Sequence, residues 1–141
     1  MKFYGRGMAA STLEHRLDHE RNVWMATTRP DGRAHLAPVW FVYVDQRIWV
    51  GTGQGSVRVA NLRTNPEAAV SLEDGDAPIV AEGPVTIHLD ERPPAVVDAF
   101  LAKYDWDLRI AEDDDVGRVA LLELRPRKWL FADLPTVGVD D

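Results

Sequence analysis

The chain has 141 residues, a formal net charge of −7 at pH 7 and no cysteine. This length predicts one domain over residues 1–141, and the lack of cysteine excludes disulfides, thiol catalysis and cysteine-based zinc sites. The acidic balance argues against a nucleic-acid partner, no apolar run approaches a membrane span, and the N-terminus has no secretory apolar region, so we expect a cytoplasmic protein that binds neither nucleic acid nor membrane.

The hydrophobic pattern predicts short elements along the whole chain. In chain order they are a helix over 11–20, strands over 22–28, 34–44 and 47–52, a helix over 56–63, strands over 67–73 and 78–89, a helix from Pro93-Pro94 to 104, and strands over 118–124 and 127–134. Ser11 and Glu14 have capping-box spacing, and Gly83-Pro84 indicates a bulge. Many short, mainly antiparallel strands with two or three small helices predict a mainly β fold, a β-barrel with helical covers.

The strand over 34–44 is apolar on both of its faces. One face carries Leu36, Trp40, Val42 and Val44, and the other carries Ala37, Val39, Phe41 and Tyr43. Such a strand is covered on both sides, and in a chain this short we expect the second cover to be a ligand or another subunit. Pro38 cannot donate a ladder hydrogen bond, so it indicates an edge or a bulge. This leaves two interpretations open: a simple edge strand, or free backbone near Val39 and Trp40 that meets a planar ligand.

The segment after the strand over 47–52 has the features of an anion site. Ser56 and the helix that carries Arg58 are preceded by three glycines, Gly51, Gly53 and Gly55. Glycines let backbone N–H groups approach a ligand, a helix N-terminus favours negative charge, and an arginine can clamp a phosphate. The spacing matches neither the dinucleotide-binding fingerprint nor a P-loop, so a plain helix start capped by Ser56 is the alternative. Arg58 favours the anion site, and the i+3 spacing predicts that it shares a face with Asn61.

No group of side chains predicts a metal site or a catalytic pair. His15 and His19 are four residues apart on the first helix, but no third ligand can be named, so an exposed helix face is the favoured interpretation. The acidic clusters at 112–115 and Asp140-Asp141 are interpreted as a solvated loop and tail. We therefore assign no catalytic residue and no metal ligand.

Three stretches of the chain resemble the pyridoxamine-phosphate-oxidase-like, split β-barrel superfamily. They run from Trp24 to Phe41 (WMATTRPDGRAHLAPVWF), from Gly51 to Pro66 (GTG, then SVRVANLRTNP) and from Val80 to Gly83 (VAEG). Their order and spacing hold from about residue 12 to residue 131. Within the superfamily, the chain is most similar to the flavin/deazaflavin oxidoreductase branch B.

The resemblance implies an FMN-binding-like split β-barrel that forms a homodimer, with two cofactor clefts at the subunit interface. It implies coenzyme F-420, a deazaflavin, as the cofactor, or alternatively FMN. On this basis we predict eight cofactor-binding residues: Pro38, Val39 and Trp40 along the ring, and Thr52, Ser56, Val57, Arg58 and Asn61 around the phosphate end. The family often has lysine at the position of Arg58, and arginine keeps the charge while adding bidentate phosphate contact.

Two functions agree with this resemblance. The first is an oxidoreductase that transfers a hydride between the deazaflavin, or FMN, and a small conjugated acceptor, in which the cofactor carries the chemistry and no catalytic pair is needed. The second is a non-catalytic module that binds a flavin, a tetrapyrrole or a fatty acid, because one fold serves several functions. The pyridoxamine phosphate oxidases proper have a basic, tryptophan-containing C-terminal signature that residues 128–134 and the acidic tail do not match, so vitamin B6 activity is not implied.

Overall fold

The computed structural model describes residues 10–110 and 112–138, which form a barrel of antiparallel strands with helices packed against it. The helices are α1 (Ala10–His19), α2 (Val57–Thr64) and α3 (Pro94–Tyr104). The strands are β1 (Asn22–Thr28), β2 (Ala34–Val44), β3 (Arg47–Gly53), β4 (Glu67–Leu72), β5 (Val80–His88), β6 (Glu112–Asp113), β7 (Gly117–Leu124) and β8 (Lys128–Leu130). The predicted Ser11 cap and the Asp140-Asp141 tail lie outside the described side chains. Within the described ranges no helix is long and apolar enough to cross a membrane.

Six strands form the barrel in the order β7-β3-β2-β1-β4-β5, and the pairing of β5 with β7 closes it. All of these pairs are antiparallel. The two remaining strands extend the sheet locally, β6 beside β7 and β8 beside β5. The prediction of a mainly β barrel with small helical covers is therefore confirmed.

Special backbone conformations occur at the turns and helix ends. Asp45 and Gln46 have φ angles of 55° and 63°, the two positive values that a two-residue type I′ hairpin between β2 and β3 requires. Ser56 caps α2 by accepting a hydrogen bond from the Val59 N–H. Asp105 ends α3 in the left-handed conformation. The boundaries of these elements are therefore set by the backbone conformation or the capping hydrogen bond of a few neighbouring residues.

Two apolar clusters stabilise the fold. The larger fills the barrel interior, and it is closed at the ends by Leu13 and Leu17 of α1 and by Val59 and Leu62 of α2. The smaller lies outside the barrel, where α3 packs on β2, β3 and β7 through side chains that include Val42, Trp49, Val97, Phe100 and Leu121. Burial of large apolar side chains of this kind contributes roughly 1.5–3 kcal/mol each.

The two apolar faces of β2 are covered in different ways. Val39 and Phe41 point into the barrel, whereas Trp40 and Val42 lie in the cluster beneath α3. The expectation that a ligand or another subunit supplies the second cover is therefore wrong for this half of the strand, because the chain's own α3 supplies it. Leu36, at the start of β2, remains 61% exposed.

Strand boundaries near the C-terminus differ from the predicted ones. β8 covers only Lys128–Leu130, because Phe131 takes a left-handed φ of 66° that ends the extended run. The acidic segment that was expected to be a solvated loop contains β6, in which Glu112 pairs with Arg118. Asp113 in the same strand accepts a hydrogen bond from the Trp106 indole. This part of the acidic cluster is therefore structural.

The predicted bulge at Gly83-Pro84 is wrong, because β4 and β5 pair residue for residue through this point. Gly83 is needed because the chain after β7 crosses β5 here. A Cβ at Gly83 would overlap the Arg125 carbonyl oxygen and lie 3.0 Å from the Arg127 nitrogen. The crossing segment is hydrogen-bonded on both sides of the glycine, with Arg125 N–H donating to Pro84 O and Arg127 N–H donating to Glu82 O.

The Tyr104 hydroxyl binds the backbone of Phe41 in β2 at the position where β1 no longer pairs with that strand. β1 begins at Asn22, opposite Trp40, so the next β2 residue, Phe41, has no β1 partner. The hydroxyl accepts from the Phe41 N–H at 3.0 Å and lies 2.8 Å from Phe41 O and 2.7 Å from Arg21 O, to which it can donate. Burial raises the pKa of Tyr104 to about 12, so the hydroxyl keeps its proton at neutral pH.

Substitution of Gly83 by alanine should destabilise the barrel. The new methyl group meets backbone atoms of the crossing segment, and such overpacking costs about 1–3 kcal/mol. Urea denaturation followed by circular dichroism measures the loss. Gly75→Ala is the matched control, because a Cβ there meets no atom within 4 Å; an equal loss in both variants would contradict the close approach at Gly83.

Removal of the Tyr104 hydroxyl should lower the stability of the fold, whereas removal of the Tyr43 hydroxyl should not. Tyr104→Phe leaves the buried Phe41 N–H without its acceptor and should lower the free energy of unfolding by about 1–3 kcal/mol. The Tyr43 hydroxyl is buried without a hydrogen-bond partner, so Tyr43→Phe should leave stability unchanged or raise it. Urea denaturation of both variants at pH 7 tests the pair, and a loss from Tyr43→Phe as large as that from Tyr104→Phe would refute the assignment.

Candidate functional site

The candidate site is a cleft of about 430 Å³ where β2 and β3 separate. The two strands pair only between Phe41↔Val50 and the hairpin. Before Phe41, β2 pairs with β1 alone, and after Val50, β3 pairs with β7. Pro38 therefore lies on a free edge of β2, as its missing N–H predicts. The walls of the cleft nearest this opening are formed by Pro38, Val39 and Trp40 of β2 and by Gly51 and Thr52 of β3.

The other walls come from α2 and from the segment between α3 and β7. The α2 contribution is Arg58, in the first turn of the helix. The segment from Tyr104 to Val116 contributes Tyr104, Asp105, Trp106, Asp113, Asp115 and Val116. Five of the eight predicted cofactor-binding residues are thus brought together in one cleft: Pro38, Val39, Trp40, Thr52 and Arg58.

The three other predicted residues do not line the cleft. The Ser56 hydroxyl is used as the cap of α2, 3.3 Å from Val59 N. Val57 is 49% exposed at the first position of the helix. Asn61 is buried and donates to the Thr27 hydroxyl at 3.0 Å, so it does not share the cleft face with Arg58 as the i+3 spacing predicted. The reason is that α2 turns this side of the helix toward the barrel, where an amide needs a partner.

Arg58 is a half-buried cation that makes no ion pair within residues 10–110 and 112–138. Its Nε atom is buried and has no hydrogen-bond partner. Burial lowers the pKa of Arg58, because removal from water disfavours the charged form. At the same helix start, the backbone N–H groups of Val57 and Arg58 have no acceptor among the described residues. These unpaired donors fit an anionic group such as a phosphate.

Two of the glycines before α2 have a packing role that the sequence pattern does not indicate. A Cβ at Gly51 would lie 2.6 Å from the Trp106 ring, and a Cβ at Gly53 would lie 2.5 Å from Val116 O. Both glycines therefore make room for the segment between α3 and β7. Only Gly55 opens onto free space, with no atom within 4 Å of its Cβ position. The segment between α3 and β7 thus explains why Gly51 and Gly53 lack a side chain, and Gly51 also lines the cleft.

Aromatic side chains form one wall of the cleft. The rings of Trp40 and Tyr104 are stacked, with centroids 4.5 Å apart and planes 10° apart. Trp106 meets Trp40 edge-on at 6.0 Å. This wall suits a planar ring. Sequence reasoning missed Tyr104 as a site residue, because its position in the apolar stripe of α3 indicates only a core residue.

The paired histidines of α1 contact each other. The rings of His15 and His19 stack on each other at 4.0 Å, and His19 Nδ1 lies 2.9 Å from the His15 carbonyl oxygen. Among residues 10–110 and 112–138, no group of three or more His, Asp or Glu side chains could hold a metal ion.

Comparison with known proteins agrees with this geometry. The family described as pyridoxamine 5'-phosphate oxidase matches residues 11–133. A search of curated proteins finds no match. Three solved structures have the same fold. A conserved hypothetical protein from Mycobacterium tuberculosis is 24% identical with a TM-score of 0.67, and the match covers 95% of this chain and 93% of that one. An F-420 reductase is 22% identical with a TM-score of 0.66 (84% of this chain and 95% of that one), and the haem storage protein HutZ from Vibrio cholerae is 15% identical with a TM-score of 0.67 (84% of this chain and 90% of that one).

At these identities the solved structures establish the fold. A reductase and a haem storage protein share it, so the fold alone does not determine function. The family match extends over nearly the whole length, and the barrel with its small helices agrees with it. The chain therefore belongs to the pyridoxamine 5'-phosphate oxidase family and has its FMN-binding-like barrel fold.

Proposed function

We propose that the protein is an oxidoreductase that binds coenzyme F-420 in this cleft, with FMN as the alternative cofactor, and transfers a hydride to a small conjugated acceptor. The observation that carries the proposal is the half-buried side chain of Arg58, whose buried Nε atom has no hydrogen-bond partner among the described residues. Leaving a buried charge without a partner is costly, and a bound phosphate removes that cost. F-420 is preferred to FMN because of the sequence resemblance, and one of the structures with the same fold is an F-420 reductase.

The cleft residues divide into two groups that match the two ends of such a cofactor. Arg58, together with the free N–H groups at the start of α2, would hold the phosphate. Pro38, Val39 and Trp40 would lie along the ring, because β2 has a free edge there and Trp40 belongs to the aromatic wall. Thr52 lies between the two groups on β3 and lines the same cleft.

A bound flavin or deazaflavin supplies the hydride chemistry. The side chains of this cleft then act by binding, by orienting the ring and by excluding water. Its carboxylates, Asp105, Asp113 and Asp115, belong to the segment between α3 and β7.

A second copy of the chain would complete the cleft. Trp24 is 41% exposed and Leu36 is 61% exposed, and both lie on the outer face of the β1–β2 pair. Trp24 is the register partner of Pro38, which lines the cleft. The exposed apolar surface thus continues directly into the proposed cofactor site. We propose that a homodimer covers this surface.

Removal of the Arg58 side chain should weaken binding of phosphorylated cofactors selectively. A charge-assisted hydrogen bond contributes about 1.5–3 kcal/mol, so Arg58→Ala should raise the dissociation constant for F-420 or FMN by roughly 10- to 150-fold. Fluorescence titration with FMN and riboflavin, and with F-420 and its phosphate-free deazaflavin chromophore, measures the effect. Riboflavin and the phosphate-free deazaflavin should lose little affinity.

Arg63→Ala is the matched control, since Arg63 is exposed on α2 and does not line the cleft. Its affinities should equal those of the unchanged protein, and Arg58→Lys should retain most of the binding. Equal loss of riboflavin and FMN affinity in Arg58→Ala would reject phosphate contact. Hydride transfer from reduced F-420 to a panel of quinones tests catalysis, and tight cofactor binding without any turnover would favour a binding module.

Introduction of a charge into the exposed apolar surface should separate the subunits. An unpaired carboxylate buried at an interface is strongly unfavourable, so Leu36→Asp should raise the dimer dissociation constant by roughly 100-fold or more and weaken cofactor binding. Analytical ultracentrifugation measures the first effect and titration the second. Ile110→Asp is the control at another exposed apolar position; a Leu36→Asp protein that is still dimeric would exclude this surface as the interface.

A further inference from the structure

We propose that a second cavity, formed where α1 and α3 meet β2, is a site in which the Lys103 amine binds small apolar aldehydes covalently as imines. The cavity has a volume of about 470 Å³. Its lining includes Asp18 and His19 of α1, Val42 of β2, and Ala99, Ala102 and Lys103 of α3. None of its lining residues lines the cofactor cleft, so the inference does not depend on the proposed function.

Three contacts fix the position of the Lys103 nitrogen in this cavity. The nitrogen donates to Leu17 O at 3.2 Å and to Phe41 O at 3.1 Å, and it lies 3.9 Å from the centroid of the Phe41 ring. It makes no ion pair with a carboxylate in the described part of the chain. An ammonium group has three N–H donors. A neutral amine has two, so it keeps both hydrogen bonds to the carbonyls and gains a lone pair that can attack a carbonyl carbon.

The surroundings of Lys103 favour this neutral form. Burial lowers the pKa of Lys103 to about 8, against the opposing charges of Asp18 and Glu20, and Arg21 lowers the pKa as well. The Tyr43 hydroxyl of the same cavity keeps its proton, because burial raises its pKa to about 12. At pH 7 about one Lys103 in ten therefore carries a nucleophilic amine, against roughly one in two thousand for an ordinary lysine.

The other lining residues define the class of aldehyde. Val42, Ala99 and Ala102 form an apolar wall, which suits a short hydrocarbon body. The Asp18 carboxylate lines the same cavity, so an aldehyde that carries its own negative charge is disfavoured. Asp18 and the His19 imidazole are also groups that can take up and return a proton, which the addition of the amine and the loss of water both require.

Imine formation needs no further reagent. The amine nitrogen attacks the carbonyl carbon, and the C–N bond forms while the C=O π bond breaks. The carbonyl oxygen then leaves as water with both amine hydrogens, and the nitrogen lone pair completes the C=N bond. No oxidant or reductant is consumed. A protonated imine retains one N–H, which can still donate to one of the two backbone carbonyls.

The test uses a comparison within the chain, which has three lysines, at positions 2, 103 and 128. Lys128 is exposed on β8 and lines neither the cavity nor the cleft. The protein is treated with butanal and sodium cyanoborohydride, which traps each imine as a secondary amine, and peptide mass spectrometry gives the rate at each lysine. Lys103 should react at least about tenfold faster than Lys128 at pH 7. This ratio should fall as the pH rises toward about 10, where Lys128 loses its proton as well.

Two variants test the contribution of the cavity itself. Ala102→Phe places a ring in the cavity, whereas Ala95→Phe places the same ring at an exposed position of α3 outside it. Ala102→Phe should slow the labelling of Lys103 by roughly fivefold or more, because the ring takes the space of the aldehyde, and Ala95→Phe should not. Glyoxylate, a charged aldehyde, should give a lower ratio of Lys103 to Lys128 labelling than butanal does. Equal rates at the two lysines at pH 7, equal effects of the two phenylalanine variants, or a higher ratio with glyoxylate would overturn the proposal.

Discussion

The cleft depends on the hydrogen bonds of the Phe41 backbone. The pairing of β1 with β2 ends at Asn22↔Trp40, and Phe41 is the first residue of β2 beyond it. β2 needs a partner there, and the Tyr104 hydroxyl supplies it by binding the Phe41 N–H and by lying next to two carbonyl oxygens. Lys103, the preceding residue of α3, donates to Phe41 O and to Leu17 O. The end of α3 therefore contacts Leu17 of α1, Arg21 just before β1 and Phe41 of β2. Because β2 is held from this side, it can leave β3 on the other side without unpaired backbone at Phe41, and the opening between the strands becomes a binding site.

The same helix end also connects the site to the glycine segment. Tyr104 is followed by Asp105, whose left-handed conformation ends α3 and directs the chain toward β3. Trp106 then packs on Gly51, and Val116 packs on Gly53. The two glycines of β3 leave space that Trp106 and Val116 of the covering segment fill. These contacts hold the segment on the barrel although it carries four consecutive acidic residues, 112–115. The aromatic wall and the carboxylates reach the cleft together because one segment carries both.

Much of the fold could be predicted from the sequence, because the barrel strands and helices are encoded by local signals. Asp45-Gln46, Ser56 and Pro94 mark boundaries that the structure reproduces within one or two residues. Only part of the candidate site could be predicted from the sequence. Pro38 and Arg58 carry visible signals, a missing N–H and a cation at a helix start. Tyr104 and Trp106 carry none, because their roles come from contacts with residues more than 50 positions away. The packing roles of Gly51, Gly53 and Gly83 are hidden for the same reason, since a glycine does not reveal which atom takes the space that it leaves.

Arg58 gives the clearest link between stability and function in this protein. In an acidic chain, a half-buried arginine would be expected to pair with one of the many carboxylates, yet its buried Nε has no partner in the described part of the chain. Asp113, a carboxylate that lines the same cleft, accepts hydrogen bonds from Trp106 and from backbone N–H groups instead. A group that pays this desolvation penalty without an internal partner lowers the stability of the ligand-free fold, and the loss is recovered when an external anion binds. Binding a phosphorylated molecule should therefore stabilise the whole barrel, because α2, which carries Arg58, also closes the end of its interior.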